Sequence, residues 1–332
     1  MATIHEVARA ARVSPATISR VLLRPELVAE KTRLRVQEVI DTLGYKPNPS
    51  AASLRTLRTG KIVVSVPDIS NPFFSNIVRG IGECAQKNGY SVLLGDTRGD
   101  RAREEGFAAL LDSRMADGLI FLGHRLPDAV RDTVMREGAS APIVNACEFS
   151  PELGVSSVHI DNRLAAREAV QVLCNLGHHN IGVITGDLES PLSRDRLQGA
   201  REAVEGRSDV RLTVVSDDFS IESGRRQTLE LVRSVGPTAI FCFSDEMAIG
   251  ALAALRSLNL DCPGDVSVMG FDDIDMAKYA FPALTTIRQP MLEIGMLAAE
   301  LLFDILARRQ ADLRCVTLPH ELVVRDSIGR AP

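Results

Sequence analysis

The amino-acid sequence predicts a small N-terminal unit of three helices, a short hinge, and then a large two-lobed α/β body. Residues 1–46 carry helix-capping residues and apolar stripes at helical spacing. In residues 61–332, short apolar runs alternate with helical stretches, which is typical of parallel sheets covered by helices on both faces. This body, at roughly 270 residues, exceeds one comfortable hydrophobic core, so we expect two lobes.

The first helix is predicted by a capping box, Thr3 with Glu6, followed by apolar residues at helical spacing up to Ala11. A second helix begins after a short break, where Ser14 can cap it and Pro15 suits its first position. A third helix, with Val36, Val39, Ile40 and Leu43 on one face, is expected to stop at Gly44. This arrangement is a helix-turn-helix with a supporting helix.

The second helix has two different faces. Ile18, Val21 and Leu22 share the inner face, so Ala16 and Arg20 point outward. A small, polar and cationic surface can approach the major groove, where Arg reads guanine O6 and N7. The alternative, a generic three-helix bundle, has a similar apolar pattern.

Charge is unevenly distributed along the chain. Residues 1–60 contain ten Lys and Arg against five Asp and Glu, although the 332-residue chain carries a formal net charge of −5. Cations displace counterions condensed on phosphate, so a basic unit on an acidic body fits a DNA-binding headpiece.

Residues 47–60 combine prolines, a short helix-compatible run and a Thr- and Arg-rich end. They predict either a plain linker or a hinge helix that folds on DNA with Leu54 as a minor-groove wedge.

Composition excludes several other classes. No apolar run approaches the roughly 20 residues that span a bilayer, and the N-terminus lacks a secretion signal, so we expect a cytoplasmic protein. The six cysteines occur singly, which gives no disulfide framework or zinc site. The sequence has no G-x-S-x-G, no phosphate-binding loop ending in Lys-Ser or Lys-Thr, and no G-x-G-x-x-G after the first strand. We therefore expect no enzyme, cofactor or metal.

Several stretches along the whole chain together resemble the LacI family of transcriptional regulators. They are, in order, "TIHEVARAARVSPATISRVL", "GYKPNPSAASLR", "NPFFSNIVRGI", "HIDN", "RLQG", "SDEMAIGAL", "GFDDID" and "LTTIRQP". The resemblance implies a homodimer that binds a near-palindromic operator through headpieces and hinges. It also implies a two-lobed, periplasmic-binding-protein-like domain that binds a small effector and lets it control the headpieces. The chain would cross between the lobes near Asp161 and near residues 286–290, and a C-terminal strand would return to the first lobe.

Candidate site residues follow from the outward face, the strand ends and the resemblance. The DNA-binding candidates are Thr3, Ser14, Pro15, Ala16, Thr17, Ser19, Arg20, Ser50, Leu54 and Arg55. Ligands of open parallel sheets bind at the carboxyl ends of strands. The effector-binding candidates are Phe73, Phe74, His124, Asp161, Arg196, Phe219, Ser244 and Asp272. Phe73 and Phe74 either stack on a ring of the ligand or divide between core and surface.

The predicted function is a ligand-responsive, sequence-specific DNA-binding regulator, a repressor released from its operator by a small nucleoside or pentose. The resemblance favours an inducer, but a corepressor stays open. Two alternatives come from other classes: a two-lobed sugar-binding protein, and an enzyme acting on nucleosides or sugars. In the second alternative the acidic run Asp272, Asp273 and Asp275 or the pair His178 and His179 would bind a metal. A polar turn and a helix end explain these residues more simply.

Overall fold

The computed structural model describes residues 2–45, 58–149, 151–308 and 312–332. Its internal contacts divide the chain into two compact units, Met1–Thr59 and Gly60–Pro332.

The small unit contains the three predicted helices, α1 (Ile4–Ala10), α2 (Pro15–Leu23) and α3 (Glu30–Leu43). Their predicted ends are confirmed. The Thr3 backbone amide donates to Glu6 Oε2 at 2.7 Å and the Glu6 amide donates to Thr3 Oγ1 at 3.3 Å, while Ser14 Oγ accepts from the Thr17 amide at 3.1 Å. α3 ends at Gly44, whose φ of 59° lies in the left-handed region.

The core of the small unit is one apolar cluster shared by the three helices. Its buried members are Val7, Ala8, Ala11, Ile18, Val21, Val36 and Ile40. Leu43, predicted on the same stripe of α3, is instead 41% exposed. The chain reverses at Gly44, the Tyr45 amide donates to the Ile40 carbonyl at 3.1 Å, and Tyr45 packs against the cluster.

The first lobe of the large unit is built on a six-stranded parallel sheet with the order β11-β5-β4-β3-β1-β2. Its strands are β1 (Lys61–Val66), β2 (Ser91–Asp96), β3 (Gly118–Phe121), β4 (Ile143–Ala146), β5 (Ser156–Ile160) and β11 (Cys315–Leu318). Its helices are α4 (Pro72–Lys87), α5 (Arg101–Asp112), α6 (Asp128–Glu137) and α11 (Met291–Leu306). α4 and α11 pack backbone to backbone, because a Cβ on Gly295 would lie 2.0 Å from the Ile77 carbonyl oxygen.

The second lobe is built on a four-stranded parallel sheet with the order β7-β6-β8-β9. Its strands are β6 (Asn180–Thr185), β7 (Arg211–Ser216), β8 (Ala239–Cys242) and β9 (Ser267–Met269). Its helices are α7 (Asn162–Asn175), α8 (Pro191–Ala203), α9 (Ile221–Ser234) and α10 (Asp245–Ser257). The predicted alternation of strands and helices is confirmed in both lobes.

The lobes are joined where β10 (Thr286–Arg288) and β12 (Glu321–Val323) pair as an antiparallel ribbon. The prediction that a C-terminal strand returns to the first sheet is confirmed, because β11 pairs with β5. The chain does not end there, because β12 follows and the tail packs on the second lobe. The Ala331 amide donates to the Leu176 carbonyl at 2.9 Å, and His178 contacts the Gly329 carbonyl at 3.0 Å.

Candidate functional site

The outward face of α2 has the predicted composition. Ala16 and Arg20 are exposed, while Ile18 and Val21 are buried on the opposite side. Among the other headpiece candidates, Thr3 and Ser14 are exposed, and Pro15, Thr17 and Ser19 are half-buried. The hydroxyls of Thr3 and Ser14 also cap helices. Ser50, Leu54 and Arg55 lie outside the described residues.

Asp272 lies just after β9; its backbone is bound to β10 and its side chain to Gln289, the residue that follows β10. Its amide donates to the Ile287 carbonyl at 2.7 Å, and its Oδ1 accepts from Gln289 Nε2 at 2.7 Å. Its φ of 116° is rare for a residue other than glycine. Although it follows a strand at the edge where ligands bind, Asp272 is only 6% exposed. Burial raises the pKa of Asp272 to about 7, although Arg196 and Gln289 act in the opposite direction.

Arg196, on α8, brings a buried guanidinium to this carboxyl. Its Nη2 lies 4.0 Å from Asp272 Oδ1, and its Nε donates to Asn162 Oδ1 at 2.9 Å. Its Nη1 donates to the Phe243 carbonyl, and the group lies over the Phe271 ring, 3.6 Å from the centroid. Two of the predicted effector-binding residues, Arg196 and Asp272, therefore lie together, and the guanidinium is held by several partners.

Two other second-lobe candidates are joined to each other. Ser244 Oγ accepts from the Met247 amide at 3.2 Å, capping α10, and lies 3.4 Å from the Phe219 carbonyl. The half-buried Phe219 ring packs directly on Gly186, where a Cβ would lie 2.1 Å from it.

Asp161 is exposed and caps α7 by accepting from the Leu164 amide at 2.9 Å. The effector roles of Ser244 and Asp161 stay predictions.

In the first lobe, the two adjacent aromatic residues divide between core and surface. Phe73 is buried in the main hydrophobic cluster, whereas Phe74 is half-buried, and their rings meet edge to face with centroids 5.2 Å apart. His124 is half-buried, and its Nε2 is buried without a hydrogen-bond partner among the described residues. Burial lowers the pKa of His124, so near neutral pH its ring is neutral and can donate to or accept from a ligand.

Glu148 belongs to the same site, but sequence reasoning missed it. This residue follows β4 and accepts from Ser190 Oγ of the other lobe at 3.0 Å. It is 6% exposed, and burial raises its pKa to about 7, while the charge of Arg196 acts to lower it. Its position at the carboxyl end of a parallel strand was the available signal, since the same criterion selected His124 and Asp272.

The residues considered for metal binding have other partners. Asp273 accepts from Arg288 at 2.7 Å and from Arg325 at 2.6 Å, and His178 lies between Thr238 and the Gly329 carbonyl. Within the described parts of the chain, no group of three or more His, Cys, Asp and Glu side chains could hold a metal ion. No described helix has both the length and the apolar character to cross a membrane.

Comparisons with known proteins agree with both units. The family model for bacterial regulatory proteins of the lacI family matches residues 3–48, and the periplasmic binding protein-like domain matches residues 170–328. The chain is 40% identical to the HTH-type transcriptional repressor CytR of Escherichia coli K12, over 100% of this chain and 97% of that protein. It is 33% identical to the ribose operon repressor of Haemophilus influenzae, over 99% of each.

Solved structures show the same architecture. The lac repressor dimer bound to operator and the anti-inducer ONPF has a TM-score of 0.86 at 29% identity, with 98% of each chain covered. The complex of the transcriptional regulator CelR with cellobiose has a TM-score of 0.73 at 31% identity, covering 98% of this chain and 100% of that one. The match over the whole length decides against a sugar-binding protein without a headpiece. The chain belongs to the LacI family of bacterial regulatory proteins.

Proposed function

We propose that this regulator is a homodimeric repressor that a small nucleoside or pentose releases from a near-palindromic operator. Residues 1–46 form the DNA-binding headpiece, residues 47–60 the hinge, and residues 61–332 the effector-binding and dimerisation domain. The chain performs no catalysis. CytR and the ribose operon repressor, among its relatives, support the ligand class, and the operator-bound lac repressor dimer supports the assembly.

The observation that carries the proposal is the buried contact between Arg196 and Asp272. A guanidinium and a carboxyl held close together can bind the hydroxyls of a sugar. Asp272 is also bound to β10, the strand that connects the two lobes. A ligand that pulls on Asp272 therefore acts directly on a connection between the lobes.

The DNA contacts are assigned to the outward face of α2 and to the hinge. Arg20 reads a base in the major groove, Ala16 permits close approach, and the hydroxyls of Thr17 and Ser19 bind phosphate. Thr3, Ser14 and Pro15 complete the headpiece surface. Ser50, Leu54 and Arg55 contact the minor groove and the neighbouring phosphates.

Two measurements on the purified protein test the proposal. An operator is first selected from a random DNA library, and its affinity is measured by fluorescence anisotropy. Nucleosides, bases and pentoses are then screened by thermal shift, since a ligand that binds only the folded state raises its melting temperature. A compound that stabilises the protein and weakens operator binding supports the proposal. A compound that strengthens operator binding would make the effector a corepressor, and turnover of the compound would show an enzyme.

A further inference from the structure

Glu148 of the first lobe contacts the N-terminus of a helix of the second lobe. Its carboxylate accepts from Ser190 Oγ, at 3.0 Å to Oε1 and 3.2 Å to Oε2. Ser190 is the N-cap residue of α8, yet its own side chain makes no capping hydrogen bond. A buried carboxylate from across the cleft therefore lies at this helix end.

A helix N-terminus favours anions, because its free amide groups and its dipole both attract negative charge. In α8 this position is occupied by the protein's own carboxylate. α8 also carries Arg196, whose guanidinium is held by Asn162, by the Phe243 carbonyl and by the face of Phe271. Its Nη2 also lies 4.0 Å from Asp272 Oδ1. The buried guanidinium thus interacts with the buried carboxyls of Asp272, Glu148 and Asp245.

We propose that Glu148 is a specificity-determining residue that excludes phosphorylated and other anionic compounds, so that the regulator responds to the uncharged form of its effector. The inference rests on the proposed function, because it takes the cleft as the effector site. A phosphate that approached the end of α8 would meet a carboxylate with little water to screen the repulsion. At pH 8, above its pKa of about 7, Glu148 is mostly ionised, so the ligand would have to displace the carboxylate or force it to take up a proton, and either change weakens binding.

The test compares the wild-type protein with Glu148→Gln and Ser190→Ala. Glu148→Gln removes the charge but keeps an oxygen that can accept from Ser190. Ser190→Ala removes one donor but keeps the charge. Glu83→Gln on α4 is the control, since Glu83 is an exposed carboxylate paired with Arg79 on the same helix. The probes are nucleosides and ribose, their 5′-phosphates, and inorganic phosphate, with affinities measured at pH 8, where Glu148 is mostly ionised, by calorimetry and thermal shift.

We expect the wild-type, Ser190→Ala and Glu83→Gln proteins to bind the uncharged compound at least tenfold more tightly than its phosphate. Glu148→Gln should bind the phosphate at least tenfold more tightly than the wild type does. Equal wild-type affinity for both forms, or unchanged discrimination in a folded Glu148→Gln protein, would overturn the inference.

Two further outcomes separate this inference from the proposed function. If no nucleoside or pentose binds the wild-type protein, the proposed effector class fails, and inorganic phosphate becomes the probe. Stabilisation of Glu148→Gln by phosphate, with none in the wild type, would still support the role of Glu148, and equal responses would contradict it. If Glu148→Gln does not fold, the wild-type and Ser190→Ala proteins provide the test. Both keep the charge of Glu148, so both must reject the phosphate, and binding of the phosphate by either would contradict the inference.

Discussion

Asp272 and Glu148 are buried carboxyls that interact with one guanidinium, Arg196, from opposite lobes. The sequence predicted Asp272 from its position after a strand and Arg196 from its place in a stretch that resembles the family. It missed Glu148, because its role depends on a hydrogen bond to Ser190, 42 residues further along the chain. The burial of Asp272 was not predictable either, because burial depends on packing between elements that local patterns do not describe.

Asp272→Asn is expected to weaken ligand binding while leaving operator binding near wild type. The amide oxygen can still accept from Gln289, so the local fold should survive, but the charged acceptor for ligand hydroxyls is lost. The cost should be about 1.5–3 kcal/mol of ligand binding free energy, the usual scale for a hydrogen bond to a charged group. Calorimetry with the ligand identified in the thermal-shift screen measures it. Equal affinities in the two proteins would remove Asp272 from the effector site.

The same two carboxyls should make the ligand-free protein less stable as the pH rises from about 4 to about 7. In the unfolded chain they titrate near pH 4, but in the folded protein burial raises their pKa values to about 7. Between these values the folded state binds more protons, so the free energy of unfolding falls with increasing pH. Urea denaturation at pH 5 and pH 7.5 measures this contribution as the difference between wild type and the double variant Asp272→Asn, Glu148→Gln. A wild-type slope no steeper than that of the variant would contradict it.

At the scale of elements, the helix ends were predictable because capping depends on residues within one turn. Thr3, Glu6, Ser14 and Gly44 all behave as expected. Leu43 was expected on the buried face of α3 but is exposed. The direction in which the chain leaves a helix decides whether the last apolar residue of that helix is covered. Strands were predictable from their apolar runs, whereas their order in each sheet depends on long-range pairing.

Arg20→Ala on α2 should weaken operator binding by about 1–3 kcal/mol and relax the preference at one base pair in each half-site, as for a bidentate contact to guanine. Arg35→Ala on α3 is the matched control, since Arg35 is also an exposed arginine of the headpiece. Anisotropy measurements on the selected operator and on single-base variants test the effect. Equal losses on specific and random DNA would make Arg20 a phosphate contact instead.

Gly186→Ala should displace the Phe219 ring, because the added Cβ would lie 2.1 Å from it. Overpacking of this kind costs about 1–3 kcal/mol of stability, and we expect ligand affinity to fall at least tenfold if Phe219 contacts the ligand. Gly82→Ala in α4 is the control, since a Cβ there has no neighbour within 4 Å. Thermal denaturation and calorimetry measure the two effects. Unchanged ligand affinity in a destabilised Gly186→Ala protein would leave Phe219 a packing residue.

At the scale of the whole molecule, the two-lobed body was predictable from its length and alternating pattern. The ion-pair network on the connecting strands was not. Asp273 pairs with Arg288, 15 residues away, and with Arg325, 52 residues away, and Arg288 also pairs with Glu321 on β12. These contacts place Asp273, the residue next to Asp272, at the junction of the connecting strands.

The central claim is a linkage: one ligand in the cleft controls DNA binding by favouring one relation of the lobes. The most direct test titrates the identified ligand into complexes of the selected operator with wild-type and Asp272→Asn proteins, followed by fluorescence anisotropy. We expect equal operator affinity without ligand, release of the wild-type protein as ligand is added, and release of the variant only at ligand concentrations at least tenfold higher. Release of both proteins at the same ligand concentration, or loss of operator binding by the variant without ligand, would contradict it.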